Sequence, residues 1–504
     1  MISLAPQATI TDEERERGIK LLVREAAYSS GGVALTSGVI LTAFALHLGA
    51  SNLWVGLLAS APFLTQLIQV PAILVVERLR QRKRLCVVTS VISRLMLLPM
   101  AATAFYTGFG PLLVFLLAQY FLCGLGAVGG CAWNGWLRDL APEERLGRVF
   151  ARRTAWSAAV SLFTGIAAAL IMEGTPEGST ERSMAFAAMF VVGCVTGLLS
   201  AHIVARMPEP VMPAPSERLS LTSLLRAPMS DNNFKRLMIF VMTWQFAVNF
   251  ATPFFTVFIV RRLGFDVSLV MVLGAVSQLA NLVALRTWGQ LSDRFSNKSV
   301  LRVAAPAYIF GIVAMIGASQ SSNETFVVTW LTVLHVLMGA SVAGVTLAST
   351  NIALKLSPKG SATAYLATNA LATSAAAGLA PIVGGLLADF FAARKIELIV
   401  RWTSPSANLA LPLTLSHWDF YFLLSGLIGL YAIHHLSLVK EEGEIHHTAL
   451  VEEVLARARR TARNASSVAG LRAATELPGA LVRDATVRFR LLRAQRNKES
   501  GTAS

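Results

Sequence analysis

The strings NLWVGLLASAPF…VVERLRQRKRL (52–85) and SLVMVLGAVSQL…LSDRFSNKSVL (268–301) can be laid over one another without a gap. Glu77-Arg78 then falls on Asp293-Arg294, an offset of 216 positions (293 − 77). The same offset of 216 carries Leu140-Ala141-Pro142 onto Leu356-Ser357-Pro358 (358 − 142). Two matches at one offset, far apart along the chain, mark an internal repeat, and a repeat of this length sets the architecture. Each string is also an apolar run of bilayer-crossing length followed by a charged cluster. The chain reads as two homologous halves of membrane-spanning segments.

Outward from these strings, the same alternation continues. Apolar stretches of about 20 residues, the length that crosses a bilayer, predict about twelve helices: 26–49, 53–76, 85–106, 111–135, 151–172, 184–205, 235–260, 268–289, 299–319, 326–349, 361–388 and 417–438. Helix is required there because hydrocarbon offers the backbone no hydrogen-bond partners. The composition agrees: only 14% of the 504 residues are charged, against about 25% in soluble domains. Lys and Arg concentrate in alternate loops, at 78–84, 138–153, 294–302 and 355–359, with Arg261, Arg262, Arg394, Lys395 and Arg401 as exceptions. That bias predicts both termini in the cytoplasm of a multi-pass inner-membrane protein.

The expected organisation is an N-terminal segment (1–25), a six-helix bundle (26–206), a Pro-rich linker (207–233), a second six-helix bundle (234–439) and a basic tail (440–504). The fold class is thus an all-α membrane protein, two six-helix bundles related by a pseudo-twofold axis. A loop is expected at 390–416, with an apolar patch at 396–400. From Arg457 onward the tail carries eleven Lys and Arg against Glu476, Asp484 and Glu499, and Leu450, Val451, Val454 and Leu455 suggest an amphipathic helix. Anionic lipid would attract such a segment at ~1 kcal/mol per nearby charge, so the net charge of +15 calls for no nucleic acid. Cys86, Cys123, Cys131 and Cys194 fit no metal or redox spacing. No phosphate-cradling loop, nucleophile–base pair or cofactor motif is present, so neither ATP drive, a cofactor nor an enzyme is expected.

GQLSDRFSNKSVL (289–301) resembles the loop that follows the second helix of each half in the major facilitator superfamily; its first-half copy has Ile73 where Gly is usual and keeps Glu77 and Arg78. DLAPEERLGR (139–148) and GLAPIVGG (378–385) resemble the family's loop between helices four and five and its eleventh helix. The resemblance covers about residues 20–440. It implies a monomeric transporter working by alternating access, with helices one, four, seven and ten lining the cavity. Candidate solute contacts are Gln119, His335, Gln245 and Asn249, with Gln66, Gln278, Asn281, Arg286 and Asn369 on the neighbouring helices. Gln119 and His335 share the 216-residue offset and should face one another across the axis. Each amide can equally be a bond between helices. Glu77 and Asp293 are expected to latch the gate against helix N-termini of the opposite half, with Arg78, Arg294 and Asp139 as charge partners.

Charges deep in the spans are few. Arg94 and Arg286 are read as lying inside, Arg94 as a snorkelling or structural cation, while Glu25, Asp389 and Asp419 are read as lying near helix ends. On that reading His335 is the deep group able to change charge near neutrality, and proton coupling would run through it. The expected function is secondary transport of a small polar or anionic organic solute. The alternative is a non-transporting sensor or assembly factor of the same fold.

Overall fold

The computed structural model describes residues 4–140, 146–212, 228–358, 362–404 and 407–441. Twelve helices long and apolar enough to cross a membrane occupy them. The first six are α1 (Asp12–His47), α2 (Asn52–Leu79), α3 (Arg82–Phe105), α4 (Phe109–Leu140), α5 (Arg152–Glu173) and α6 (Thr180–Ala205). The second six are α7 (Asn232–Arg262), α8 (Val267–Arg294), α9 (Asn297–Ser319), α10 (Glu324–Leu356), α11 (Ala364–Phe391) and α12 (Trp418–Leu438).

Packing repeats between the halves. In the first half α1 lies on α5 and α6, α3 on α4 and α6, and α2 on α4; in the second, α7 lies on α11 and α12, α9 on α10 and α12, and α8 on α10. Adding six to each helix number converts one set into the other. The two main contacts between halves, α2 on α11 and α5 on α8, exchange under the same operation. That is the pairing a pseudo-twofold axis imposes on inverted or parallel repeats.

Local chemistry shapes individual helices. Thr11 caps α1 through a capping box, its hydroxyl accepting from the Glu14 N–H while the Glu14 carboxylate accepts from the Thr11 N–H. Two of the unsatisfied donors at the helix start are thereby satisfied. The helix therefore begins at Asp12 and not near residue 26, a correction to the sequence reading. It breaks at Ser37-Gly38, where Gly38 takes φ +59°. Past Pro62, α2 tightens into a 3-10 turn at Thr65–Ile68.

One other expectation changes. Residues 390–416 hold an antiparallel hairpin, β1 (Lys395–Ser404) with β2 (Ala407–Ser416), in register from Lys395 opposite Ser416 to Ser404 opposite Ala407. The β-branched and alternating residues of KIELIVRWTS favour extended backbone. At the start of the linker Gln7 bridges Pro210, and Glu209 is fully buried. The amphipathic segment expected near 450 and the basic tail lie outside the described residues.

Aromatic rings fill both bundles. Phe44 packs edge-on to Phe115 and stacks on Phe186 in the first half, and Tyr421 stacks on Phe250 in the second. Such pairs contribute about 0.5–1.5 kcal/mol each beyond their buried area.

Candidate functional site

A cavity of about 360 Å³ opens inside the first half, lined by residues of all six of its helices. Cavities of this size suit small organic ligands. Its charged groups are Glu25 of α1, Arg94 of α3 and Arg153 of α5, and Ser29, Ser90, Ser93 and Ser200 add hydroxyls. The capping box starts the helix at Asp12, which makes Glu25 its fourteenth residue and places it within the helix rather than at its end. Its side chain is buried; the Ser200 hydroxyl donates to it at 3.1 Å and the Arg153 guanidinium at 3.4 Å. Arg94 lies within electrostatic reach of Glu25 but makes no hydrogen bond to a described residue. Its aliphatic stem packs so closely on Gly197 that a Cβ there would meet it at 2.5 Å. Arg94 therefore points into the cavity and does not snorkel to the membrane surface. One carboxylate against two guanidinium groups leaves the cavity with one excess positive charge. Buried charges are costly unless they are paired or serve a ligand, so the cluster is a candidate solute site.

The residues expected from sequence are dispersed. Gln66, in the 3-10 turn of α2, lines this cavity and accepts from Gln69. Gln119 is buried on α4 and donates to Cys123 Sγ at 3.4 Å. His335 is buried on α10 beside Phe255, its ring bonded through Nδ1 to the Leu331 carbonyl at 2.8 Å. A carbonyl only accepts, so Nδ1 carries a proton, and in the neutral ring Nε2 is the acceptor. Gln245 and Asn249 share a face of α7, joined by the Asn249 amide donating to the Gln245 carbonyl at 2.9 Å. Asn281 is half-buried on α8, while Gln278 and Arg286 are exposed. Asn369 is half-buried on α11, and its Oδ1 has no partner among the described residues; Thr373 one turn on and Ser349 of α10 are orphaned likewise. Three unfilled hydrogen-bonding positions on adjacent helices suit a polar ligand or water.

The halves touch most intimately at the end away from the termini, here the far end. Asp389, at the end of α11, caps α2 of the other half: its carboxylate accepts from the Asn52 amide side chain at 2.8 Å and from the Asn52 and Leu53 N–H groups at 3.3 and 3.1 Å. Arg182 of α6 pairs with Asp266 before α8 at 2.8 Å, and Arg261 of α7 donates to the Ala50 carbonyl at 2.8 Å. Below them a Cβ on Gly56 would strike the Pro381 carbonyl, so α2 and α11 meet backbone to backbone. Beside Asp389, burial holds the His417 imidazole below its ordinary range, with Arg262 acting in the same direction.

At the opposite, tail end the described ionic contacts stay within a half. Arg82 pairs with Asp139 at 2.6 Å, and Glu209 accepts from the N–H groups of Arg82 and Lys83 at the start of α3. Glu441 does the same for Lys298 at the start of α9 and pairs with Lys355 at 3.1 Å. Glu77, Arg78, Asp293 and Arg294 are exposed, Arg294 lying over the Phe295 ring at 5.1 Å. Asp139 thus serves Arg82 of its own half in this conformation. Sequence reasoning placed Glu25 near a helix end, where Thr11-x-x-Glu14 was the signal of an earlier helix start, and it did not join Arg153 and Ser200 to Glu25, since they come from other helices. It also missed the far-end contacts, which no local pattern announces.

Two repeated six-helix bundles around a polar, charged interior define a membrane transporter fold. The family model of the Major Facilitator Superfamily matches residues 26–330, and the chain belongs to that superfamily. In fold it is similar to a mutant of the nucleoside transporter NupG, with a TM-score of 0.64 at 14% identity over 84% of this chain and 100% of that one. A D-xylose–proton symporter superposes with a TM-score of 0.62 at 14% identity, covering 86% and 98%. A bacterial homologue of the iron transporter ferroportin in its inward-facing state gives 0.60 at 11%, covering 84% and 98%. No curated protein matches the sequence significantly.

Proposed function

We propose that this protein is a secondary transporter that moves a small polar or anionic organic solute across the inner membrane by alternating access, captured in the state closed at its far end. The observation that carries this reading is the asymmetry of the contacts: far-end charges join the halves, whereas the described tail-end charges join helices within a half. Described contacts that join the halves at the far end fit one of the two states that alternating access requires. The positive-inside bias makes the tail end cytoplasmic, so the state is inward-facing. The unoccupied carboxylate latches Glu77 and Asp293 then have a physical role, docking across the halves when the cytoplasmic end closes.

The solute would enter from the tail end and meet Arg94 and Arg153 on the first half and Asn249, His335 and Asn369 on the second. The excess positive charge favours a solute bearing a carboxylate or phosphate. Proteoliposome uptake of labelled nucleosides, pentoses and small organic anions tests this directly. Saturable flux of a member of the panel, lost in Arg94→Gln, is the expected result. Absence of flux and of ligand-induced thermal stabilisation across the panel would remove the transport reading.

A further inference from the structure

A second cavity, of about 570 Å³, lies in the groove between α1 and α5 at the tail end, lined among others by Lys20, Val23, Arg24, Arg152 and Trp156. On a helix turning 100° per residue, Lys20, Val23 and Ala27 of this groove face away from Glu25 and Ser29, which line the interior cavity. The groove therefore belongs to the outer surface and not to the solute site. Its continuation up α5 is apolar: Trp156, Phe163 and Leu170, spaced two turns apart, are 52%, 72% and 63% exposed. Rings and aliphatic chains so exposed on a membrane-spanning helix face hydrocarbon. Lys20, Arg24 and Arg152 are exposed as well, and Glu16 is the acid that shares their groove. Three cations against one carboxylate thus sit where an apolar stripe reaches the charged tail end.

We infer that this groove binds an anionic phospholipid, its phosphate held by Lys20, Arg24 and Arg152 and one acyl chain lying along Trp156, Phe163 and Leu170. The layout matches the molecule: a headgroup at the interface, an indole at headgroup depth and an apolar track below. A zwitterionic lipid brings its own cation and gains less from three fixed positive charges. The site is built from residues of α1 and α5 and does not depend on the solute.

The test uses the full-length protein in phosphatidylcholine nanodiscs with and without phosphatidylglycerol, with retained lipid counted by native mass spectrometry. Lys20→Gln/Arg24→Gln/Arg152→Gln is expected to bind phosphatidylglycerol roughly a hundredfold more weakly, each charge contributing about fivefold. Phosphatidylcholine retention and the melting temperature in phosphatidylcholine should not change. The basic tail is present in both proteins, so it does not contribute to the difference. Equal retention of phosphatidylglycerol by variant and wild type would overturn the inference, as would stabilisation by inorganic phosphate equal to that by the lipid. If the triple variant does not fold, Arg24→Gln alone must still show about a fivefold loss.

Discussion

Glu25 occupies a position where one proton changes the charge of a buried cavity. Ionised, it offsets one of two guanidinium groups; protonated, it leaves both Arg94 and Arg153 uncompensated. A change of that kind biases a conformational equilibrium only if its cost differs between the two states. Here the partners of Glu25 come from α5 and α6, so any movement of α1 against them alters that cost. Glu25→Gln keeps the shape and the capacity to bond Ser200 but carries no proton. It is expected to abolish accumulation driven by a pH gradient while solute exchange persists, measured as flux in proteoliposomes. His335→Gln, which copies Gln119, is expected to leave gradient-driven accumulation in place. The reverse pattern would return coupling to α10.

Helix by helix, the fold depends on close backbone approach. At Gly56 the α2 backbone meets the Pro381 carbonyl, and at Gly385 the α11 backbone meets Asn52. Gly56→Leu would force the two helices apart at the far end, with an overpacking cost of about 1–3 kcal/mol. A lowered melting temperature together with wider spacing between spin labels at positions 107 and 322 is the expected outcome. Unchanged spacing would show that the helices are not in contact there. The junction of the hairpin with α12 is the pH-sensitive element. The ordinary value of the His417 imidazole is 6.5, and burial lowers it in the fold. The folded state thus favours the neutral ring. Its contribution is complete above about pH 6.5 and is lost as pH falls from there through the lowered value of the folded state. Wild-type melting temperature should therefore fall more steeply below that pH than that of His417→Gln; parallel curves would remove His417 from the account.

Over the whole molecule, the far-end clamp sets which state is populated. A carboxylate on a helix N-terminus contributes about 0.3–1 kcal/mol, and up to ~2 when partly buried. Asp389→Asn keeps the size of the side chain and removes that charge from the start of α2. It should shift the population from the far-end-closed state by about 2- to 30-fold. Spin-label distances between residues 107 and 322 would then show a longer component, and cysteines placed within the cavity would label faster from the far side. A distance distribution identical to that of the wild type would show the clamp to be incidental. Arg182→Gln, which breaks the pairing with Asp266, should act in the same direction.

The sequence by itself determined the class of fold. Apolar runs of bilayer length can satisfy their backbones only as helices, and the 216-residue offset joining Glu77 to Asp293 stated the two-half repeat outright. Gln245 and Asn249 on one face of α7 were legible from helical spacing alone. What lay beyond it was set by approach in three dimensions. Glu25 is buried because α1 packs on α5 and α6, and it became a candidate site because Arg94, Arg153 and Ser200 come to it from three other helices. Asp389 reaches the start of α2 across more than three hundred residues of chain, an encounter that only the packing of α2 against α11 creates. Periodicity reports which residues leave water; which charges then meet depends on how the helices cross, and that was decided by the tertiary structure.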